Sequence, residues 1–318
     1  MLSITDKWIW DFWFAVDGDE YHIFYLQAPK SLKLEKKRHH KATIGHAVSK
    51  NLVNWKILPD ALGPGMIGMW DDLATWTGSI IRYNNIWYMF YTGANRAEGG
   101  LIQRIGVATS EDLIIWEKHE RNPIIVADEK YYELLNLKSW HDQAWRDPWV
   151  FSYQGTFHAF ITARVNYGFY DARGVIAYAK SENLINWSVL PPVTEPGEFG
   201  QLEVPQMINI NNKYYLLFST EAENHSAQRL KRTKIEAVTG THYLVADEPL
   251  GPYKFITDRF LQGDQFGSLY SGKIIQNKNG EWKMMACNNR SEDGSFIGSI
   301  TNPFNVQLMN NNNDFKRK

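Results

Sequence analysis

The sequence contains one cysteine, no long apolar run and no excess of either charge. A single thiol, Cys287, cannot form an internal disulfide, so the fold cannot depend on a disulfide framework. A run of about 18 apolar residues is absent, and no membrane-spanning helix is predicted. The 34 basic residues balance 35 acidic ones, which argues against nucleic acid or an anionic lipid surface as partner. A small uncharged ligand fits this composition better.

The first ten residues, MLSITDKWIW, lack the basic and apolar segments of a signal peptide, so we expect a cytoplasmic protein. The 318 residues are 44% hydrophobic and 22% charged, as in an ordinary soluble globular protein. All-β domains of this length are common as single units. We predict one domain over residues 1–308, followed by a polar, disordered tail at 309–318 (MNNNNDFKRK).

Aromatic residues are abundant, with 13 Trp, 16 Tyr and 16 Phe, and a repeat runs the length of the chain. Five segments each contain two runs rich in β-branched and aromatic residues around a short polar turn, which predicts a β-hairpin in each. The turns have residue types that accept a positive φ angle. They lie at Asp17-Gly18, Asn84-Asn85, Gln154-Gly155, Asn211-Asn212 and 277–280.

The first three units continue into a third strand and a shared Ser-x-x-Leu-x-x-Trp pattern, which begins at Ser49, Ser110 and Ser181. Units of four short strands repeating about every 55 to 70 residues are typical of propeller blades. We therefore predict an all-β fold, a five-bladed β-propeller with four-stranded antiparallel blades around a central channel. The Leu and Trp of the shared pattern are expected to pack between blades.

Acidic residues lie in three of the five first strands, which line the channel of a propeller. They are Asp11 in WDFWF, Asp147 in WRDPWVF and Glu203 in LEVPQM. Each lies 13 residues before a residue in the middle of the next strand, namely Phe24, Phe160 and Leu216. A carboxylate in an apolar strand costs folding free energy unless it is paired or used. Three such acids in similar places predict one shared site.

Three carboxyl groups around one ligand fit the cleavage of a glycosidic bond. That reaction needs one carboxyl group to protonate the leaving oxygen and another to attack the sugar or activate water. A third can hold ring hydroxyl groups in the transition state. Aromatic and amide neighbours would exclude water and raise the pKa of the acid. The substrate-binding candidates on this basis are Trp10, Trp13, Trp76, Gln206 and, at the corresponding place in blade five, Tyr270.

The motifs resemble those of the five-bladed propeller superfamily that contains glycoside hydrolase families 32 and 68, and more distantly family 43. Trp-Arg-Asp-Pro at 145–148 is similar to the Arg-Asp-Pro motif of invertases and levansucrases. WTGS at 76–79 is similar to their Trp-Ser-Gly-Ser motif, and WIWDFWF resembles the Trp-Asp-Ser-Trp-Pro segment of levansucrases. Two departures are Phe12, where levansucrases have serine, and Val204, where invertases have cysteine and levansucrases arginine.

The resemblance implies that Asp11 is the nucleophile, Glu203 the general acid/base and Asp147 the transition-state stabiliser. The residues that it places in the same sugar subsite are Arg146, Trp76 and Ser79. The implied reaction is hydrolysis or transfer of a fructosyl group from β-fructofuranosides such as sucrose or short fructans. It would retain configuration through a covalent fructosyl-enzyme.

Two alternatives are kept open. One is an inverting family-43-like α-L-arabinofuranosidase or β-xylosidase, with Asp11 as the base and Glu203 as the acid. The other is a non-catalytic carbohydrate-binding propeller, or one whose acids hold a structural calcium ion. The sequence itself indicates no cofactor and no metal site. His141-Asp142 and the segments 164–173 and 221–229 are predicted to lie at the channel mouth.

Overall fold

The computed structural model describes residues 1–309 and 314–317, and its fold is the predicted five-bladed β-propeller. Each blade is an antiparallel sheet whose strands follow the chain from the centre outward. The first blade contains β1 (Lys7–Asp17), β2 (Glu20–Pro29), β3 (Thr43–Ser49) and β4 (Lys56–Ile57). The second contains β5 (Ala74–Tyr83), β6 (Ile86–Ala94), β7 (Gln103–Ser110) and β8 (Glu117–Lys118).

The remaining blades repeat this order with small changes. The third contains β9 (Trp145–Tyr153), β10 (Thr156–Arg164), β11 (Gly174–Ser181) and β12 (Trp187–Leu190). The fourth contains β13 (Glu203–Ile210), β14 (Lys213–Thr220), β15 (Thr239–Ala246) and β16 (Gln262–Asp264). The fifth contains β17 (Leu269–Gln276), β18 (Trp282–Arg290), β19 (Phe296–Ile300), β20 (Phe304–Met309) and β21 (Asp314–Arg317).

The five innermost strands form a closed ring. β1 contacts β5, β5 contacts β9, β9 contacts β13, β13 contacts β17, and β17 contacts β1. The N-terminal residues help to close it, because Leu2 and Ile300 exchange two backbone hydrogen bonds of 2.9 Å. The first residues of the chain thus extend the last blade, which leaves the first and last blades joined by hydrogen bonds as well as by packing.

Helical segments in the described residues are short and lie between strands. The single α-helix among them, α1 (Ala227–Thr233), begins at Ser226, whose side chain accepts a hydrogen bond from the Arg229 amide. The 3₁₀ segments are Lys30–Leu32, Glu35–Lys41, Tyr170–Ala172 and Ala222–Asn224. No helix in this part of the chain is long and apolar enough to cross a membrane.

The five predicted hairpins are confirmed, although the first turn consists of Gly18 and Asp19, because Asp17 pairs with Glu20. Asn84, Asn85, Gln154, Asn211 and Asn212 all have φ between 49° and 64°. Such angles suit type I′ turns, whose twist matches that of the flanking strands. The local residue choice therefore sets the length and register of each innermost strand pair.

The core consists of five layers, one between each pair of neighbouring blades. Consecutive strand residues point to opposite faces, so Ile23 and Phe24 of β2 pack into different layers, as do Leu216 and Leu217 of β14. Every blade is therefore apolar on both faces. This is why the strands read as almost continuous hydrophobic runs.

The Ser-x-x-Leu-x-x-Trp pattern forms a tight turn at the outer edge of a blade. Leu52, Leu113 and Leu184 have φ between 63° and 66° and are at most 1% exposed. In each copy the indole nitrogen of the following Trp donates to the backbone carbonyl of the Leu, at 2.9–3.1 Å. The prediction that these residues pack between blades is confirmed.

Residues 310–313 and 318 of the predicted polar tail lie outside the described residues. Asp314–Arg317 forms β21, which pairs with β20 of the fifth blade. The division of the chain into one domain and a tail at residue 308 stays a prediction.

We expect Leu184→Ala to lower the free energy of unfolding by about 2–4 kcal/mol, because it opens a cavity in the layer between blades two and three. Urea unfolding followed by tryptophan fluorescence measures the change. Leu137→Ala is the matched control, since Leu137 is 64% exposed and its truncation should cost less than about 0.5 kcal/mol. Equal losses in both variants would contradict the interblade packing of Leu184.

Candidate active site

Each innermost strand contains a β-bulge at the corresponding place. The pairing between first and second strands shifts register at Asp11, Thr77, Asp147, Val204 and Ser271. In every blade the regular pairing resumes within two residues of this place, which shows that the five places are equivalent. Four of them have a positive φ, between 27° and 58°. Residues with a side chain adopt such angles rarely, and bulges of this kind recur next to active sites.

In blades two to five the residue that follows the bulged residue is Gly or Pro, and the local geometry explains this choice. A Cβ at Gly78 would lie 1.9 Å from the carbonyl oxygen of Phe90, and one at Gly272 would lie 2.0 Å from Cε of Met284. Pro148 and Pro205 follow the bulges of blades three and four, where the strand ladder is interrupted and a proline is tolerated. The WTGS and Arg-Asp-Pro motifs are thus backbone signatures as well as side-chain signatures.

The bulges surround a cavity of about 360 Å³ at the centre of the propeller. Because a bulge re-aims side chains, two consecutive residues of one strand can face the same cavity. The cavity is lined in this way by Trp10 with Asp11, Trp76 with Thr77, Arg146 with Asp147 and Glu203 with Val204, together with Tyr270 from blade five. All three predicted acids therefore reach one cavity of a size suited to a small ligand.

Glu203 does not occupy the same place as the other two acids. In the strand pairing it is the last residue before the bulge, the place that Arg146 holds in blade three, and Val204 is the bulged residue. The 13-residue spacing to Leu216 therefore does not mark a place equivalent to that of Asp147. As a result, the acid of blade four enters the cavity from a different backbone position than the acids of blades one and three.

Arg146 joins the acids of the cavity. Its guanidinium donates to Oε1 of Glu203 at 2.7 Å and to Oδ2 of Asp142 at 3.2 Å, and its Nε lies 3.8 Å from Oδ2 of Asp147. Gln103 accepts a further bond at 3.1 Å. Burial alone would lower the pKa of Arg146, but the neighbouring carboxylates raise it. The arginine remains charged and offsets part of the cost of burying three acids.

Asp147 is nearly inaccessible and held from three sides. Its Oδ2 accepts hydrogen bonds from Thr162 at 3.0 Å and from the backbone amide of Val204 at 3.1 Å, and its own amide donates to Thr92. Burial raises the pKa of Asp147, and the Arg146 guanidinium opposes that rise. These contacts link blades two, three and four and fix the orientation of the carboxylate.

The surroundings of the Asp11 carboxyl group differ from those of Asp147. Hydroxyl groups of Ser271 and Thr77 donate to its two oxygens. Burial, with a smaller contribution from the Asp147 charge, raises the pKa of Asp11 to about 6, and the Ser271 hydrogen bond opposes the rise. Asp11 is thus an ionised carboxylate above about pH 6, held by neutral donors.

Glu203 is held at both oxygens, by Arg146 and by the hydroxyl of Tyr270. Behind it, the Nζ atom of Lys273 donates to the carbonyl oxygens of Val204 and Pro205. Lys273 is 2% exposed, and burial lowers its pKa to about 8. Because the ammonium group binds the backbone just after Glu203, it stabilises the bulge that follows that acid.

Three predicted site residues lie outside the cavity. Trp13 stacks on Phe24 in the layer between blades one and two. The hydroxyl of Ser79 accepts from the Val150 amide at 2.9 Å, and Gln206 forms two hydrogen bonds with the backbone of Ile274. Each of these side chains links neighbouring blades, so the structure gives them a role in packing and not in the cavity.

Other lining residues come from segments that join strands. Arg38 and His39 lie on the 3₁₀ segment Glu35–Lys41, which connects β2 and β3. The Trp76 indole nitrogen donates to the His39 carbonyl at 2.7 Å, so this segment covers one side of the cavity. The strand repeat does not predict this segment, because the segment belongs to blade one alone.

The predicted mouth residues are placed in part as expected. The lining includes His141 and Asp142, and Glu221, Glu223 and Asn224 from the segment 221–229. The segment 164–173 does not contribute to the lining. Within residues 1–309 and 314–317, no group of three or more His, Cys, Asp or Glu side chains is arranged to hold a metal ion. The expectation that no cofactor is used stays a prediction.

Comparison with known proteins identifies similar chains. The family model described as "Glycosyl hydrolases family 32 N-terminal domain" matches residues 12–313. Sucrose-6-phosphate hydrolase of Bacillus subtilis is 26% identical over 208 residues, which cover 63% of this chain and 39% of that protein. The chain therefore spans about two fifths of the length of this curated relative.

Solved structures share the fold over nearly the whole chain. The inulosucrase of Halalkalicoccus jeotgali, bound to kestose, has a TM-score of 0.76 at 20% identity. The matched region covers 99% of this chain and 87% of the inulosucrase chain. The family 32 β-fructofuranosidase of Bombyx mori has a TM-score of 0.72 at 19% identity and covers 100% and 64%, respectively. At these identities the likeness concerns the fold alone.

We expect Asp11→Asn to stabilise the protein above pH 6. The folded-state pKa of about 6 exceeds the ordinary value of 3.8, so the folded protein binds more protons than the unfolded chain between those values, and stability falls as pH rises through that window. Asn cannot ionise and avoids that loss. The gain should be about 1–3 kcal/mol at pH 7.5 and close to zero at pH 4.

Urea unfolding of both proteins across pH 4–8 tests this expectation, with Asp6→Asn at an exposed position as the control for the substitution itself. A gain that is the same at pH 4 and pH 7.5 would show that the ionised Asp11 carboxylate is not destabilised in the folded protein.

Proposed function

This chain belongs to glycosyl hydrolase family 32, and we propose that it is a retaining enzyme that removes the fructosyl group from β-fructofuranosides. Asp11 is the nucleophile, Glu203 the general acid/base and Asp147 the transition-state stabiliser. The donor class is sucrose or short fructans, and the acceptor is water or a second sugar. The family match over residues 12–313 supports this proposal over the family-43-like and non-catalytic alternatives.

The observation that carries the proposal is the unequal environment of three carboxyl groups in one cavity. Asp11 is held by two neutral hydroxyl groups, Glu203 by a guanidinium and a phenol, and Asp147 is almost fully buried. A purely structural ion-pair network has no need for this division. Acid, nucleophile and stabiliser are roles that require different surroundings.

In the first step the ionised carboxylate of Asp11 attacks the anomeric carbon C2 of the fructosyl group. A bond forms between C2 and an Asp11 oxygen, the bond from C2 to the leaving oxygen breaks, and Glu203 gives its proton to that oxygen. In the second step Glu203 takes a proton from water or a sugar hydroxyl. The resulting oxygen attacks C2 and releases Asp11.

Asp147 stabilises the oxocarbenium-like transition state between these steps. Its Oδ2 is occupied by Thr162 and the Val204 amide, and we assign Oδ1 to the hydroxyl groups of the fructosyl ring. Because the carboxylate is fixed before substrate binds, it need not reorganise as positive charge develops on the sugar. Arg146 stabilises Glu203 as a carboxylate after its proton has been transferred.

The direct test is a time course of the sugars released from sucrose by the purified protein, resolved by chromatography. Equal glucose and fructose would indicate hydrolysis, and excess glucose with growing oligomers would indicate transfer. Glu203→Gln should lower the rate about 10²–10⁴-fold, because it cannot protonate the leaving oxygen. Unchanged turnover in this variant would contradict the assignment of Glu203.

A fructosyl fluoride donor separates the roles of the two acids. Fluoride leaves without protonation, so Glu203→Gln should react with this donor and accumulate a fructosyl-enzyme that intact-protein mass spectrometry detects. Asp11→Asn should form no such adduct. An inverting enzyme would give no covalent adduct in either variant.

The pH dependence of kcat/KM should show an acidic limb with an apparent pKa of about 6, because Asp11 must be ionised to attack. The rate rises with pH through that value. Ser271→Ala removes a hydrogen bond that lowers the pKa of Asp11, so the limb should move to higher pH. Ser79→Ala, whose hydroxyl binds the Val150 amide instead, should leave the limb in place.

A further inference from the structure

The cavity contains far more acidic than basic side chains. Two lining residues, Arg38 and Arg146, carry a guanidinium group. The acids that line it are Asp11, Asp142, Asp147, Glu203, Glu221 and Glu223. The proposed reaction uses three of these acids, and Asp142 is bound to Arg146. Glu221 and Glu223 therefore have no role in the chemistry described so far.

Glu221 and Glu223 lie on the segment that follows β14, beside the proposed acid/base. Burial raises the pKa of Glu221 to about 7, with further contributions from Glu203 and Glu223, and the two side chains share a hydrogen bond. A hydrogen bond between two carboxyl groups requires a proton on one of them. Two carboxyl groups that share one proton carry one negative charge between them.

This pair faces the side of the cavity where the leaving group must lie. Glu203 gives its proton to the leaving oxygen, so the departing sugar must be next to Glu203. Glu203 pairs with Ser219 of β14, and Glu221 follows Ser219 by two residues. The Gly200 amide donates to the Asn224 carbonyl at 2.7 Å, so the segment with Glu221 and Glu223 runs beside the residues that precede Glu203. Both carboxyl groups line the cavity together with Glu203 and therefore lie near the departing sugar.

Three arginines lie in or near the cavity, and Arg290 opposes the rise in the pKa of Glu221. Arg146 binds Glu203 and Asp142. Arg38 stacks on the Phe296 ring, with its guanidinium carbon 3.9 Å from the ring centroid, and donates to the Glu35 carbonyl. Arg290 donates to the Gly294 carbonyl and lies 3.5 Å from the Glu35 carboxylate. A phosphate group beside Glu203 would therefore lie next to Glu221 and Glu223, whereas Arg38, whose Nε has no partner among the described residues, lies over the Trp10 and Phe296 rings.

Uncharged hydrogen-bonding groups also line the cavity. Gln201 lines the cavity, is 3% exposed, and its amide nitrogen has no hydrogen-bond partner in the described part of the protein. Trp10 lines it as well, with an unpartnered indole nitrogen. Buried donors without a partner are costly, and a ligand that supplies hydroxyl oxygens would satisfy them.

We propose that Glu221 and Glu223 make the leaving-group side of the cavity a subsite for an uncharged sugar and exclude a phosphorylated one. The exclusion is electrostatic, since a phosphate dianion beside two carboxyl groups is repelled whether or not it fits sterically. The proposal rests on the function proposed above, because that function defines which sugar departs.

The test compares kcat/KM for sucrose and for sucrose phosphorylated at O6 of its glucosyl unit. We expect the wild-type protein to favour sucrose at least about tenfold, and the Glu221→Gln/Glu223→Gln double variant to lower that preference about fivefold to tenfold, mainly through KM for the phosphorylated sugar. Glu223→Lys should lower it further. Glu111→Gln, at an exposed position on blade two, is the control.

Equal or better turnover of the phosphorylated sugar by the wild-type protein would overturn the proposal, and so would an unchanged preference in the double variant. Calorimetric binding of both sugars to Asp11→Asn protein separates this proposal from the proposed function. Tighter binding of sucrose, with no turnover by the wild-type protein, would overturn the fructosyl chemistry and keep the uncharged-sugar subsite. Equal binding of both sugars would overturn the subsite.

Discussion

The β-bulge at one place in all five innermost strands is the constraint on which the site depends. A regular strand turns alternate side chains toward the channel, whereas the bulge allows Arg146 and Asp147, two consecutive residues, to line one cavity. The same device in blades one and four brings in Asp11 and Glu203. Four of the five bulged residues have a left-handed backbone, and all five innermost strands pack against one another in a closed ring.

Burying several acids in so small a space is the main electrostatic cost of this fold. Arg146 offsets part of it by contacting Glu203, Asp142 and Asp147. No arginine forms an ion pair with Asp11 among the described residues, and burial, with a smaller contribution from the Asp147 charge, raises its pKa. A carboxylate that is not neutralised by an arginine remains available to react, so the destabilised acid is also the one proposed to attack the sugar.

The blade architecture was predictable because its signals are local. Turn residues such as Asn84-Asn85 and the Leu-Trp turn at Leu113 need only their own neighbours to adopt their conformation, and the repeat displays them several times. The carboxylate positions were predictable for a related reason, since an acid in an apolar strand is conspicuous. The sequence did not predict where Trp13, Ser79 and Gln206 lie. A side chain that packs between blades and one that lines the cavity have the same local sequence surroundings.

By itself the sequence determined the number of blades, their hairpins and the three strands that carry an acid, because these features follow from residue type and spacing within about 20 residues. The tertiary structure alone decided that Glu203 precedes its bulge, that Arg146 joins three carboxylates, and that Glu221 and Glu223 line the same cavity as Glu203. The contact between Arg146 and Glu203 joins residues tens of positions apart on different blades. It arises only when the ring closes and places every first strand around one axis.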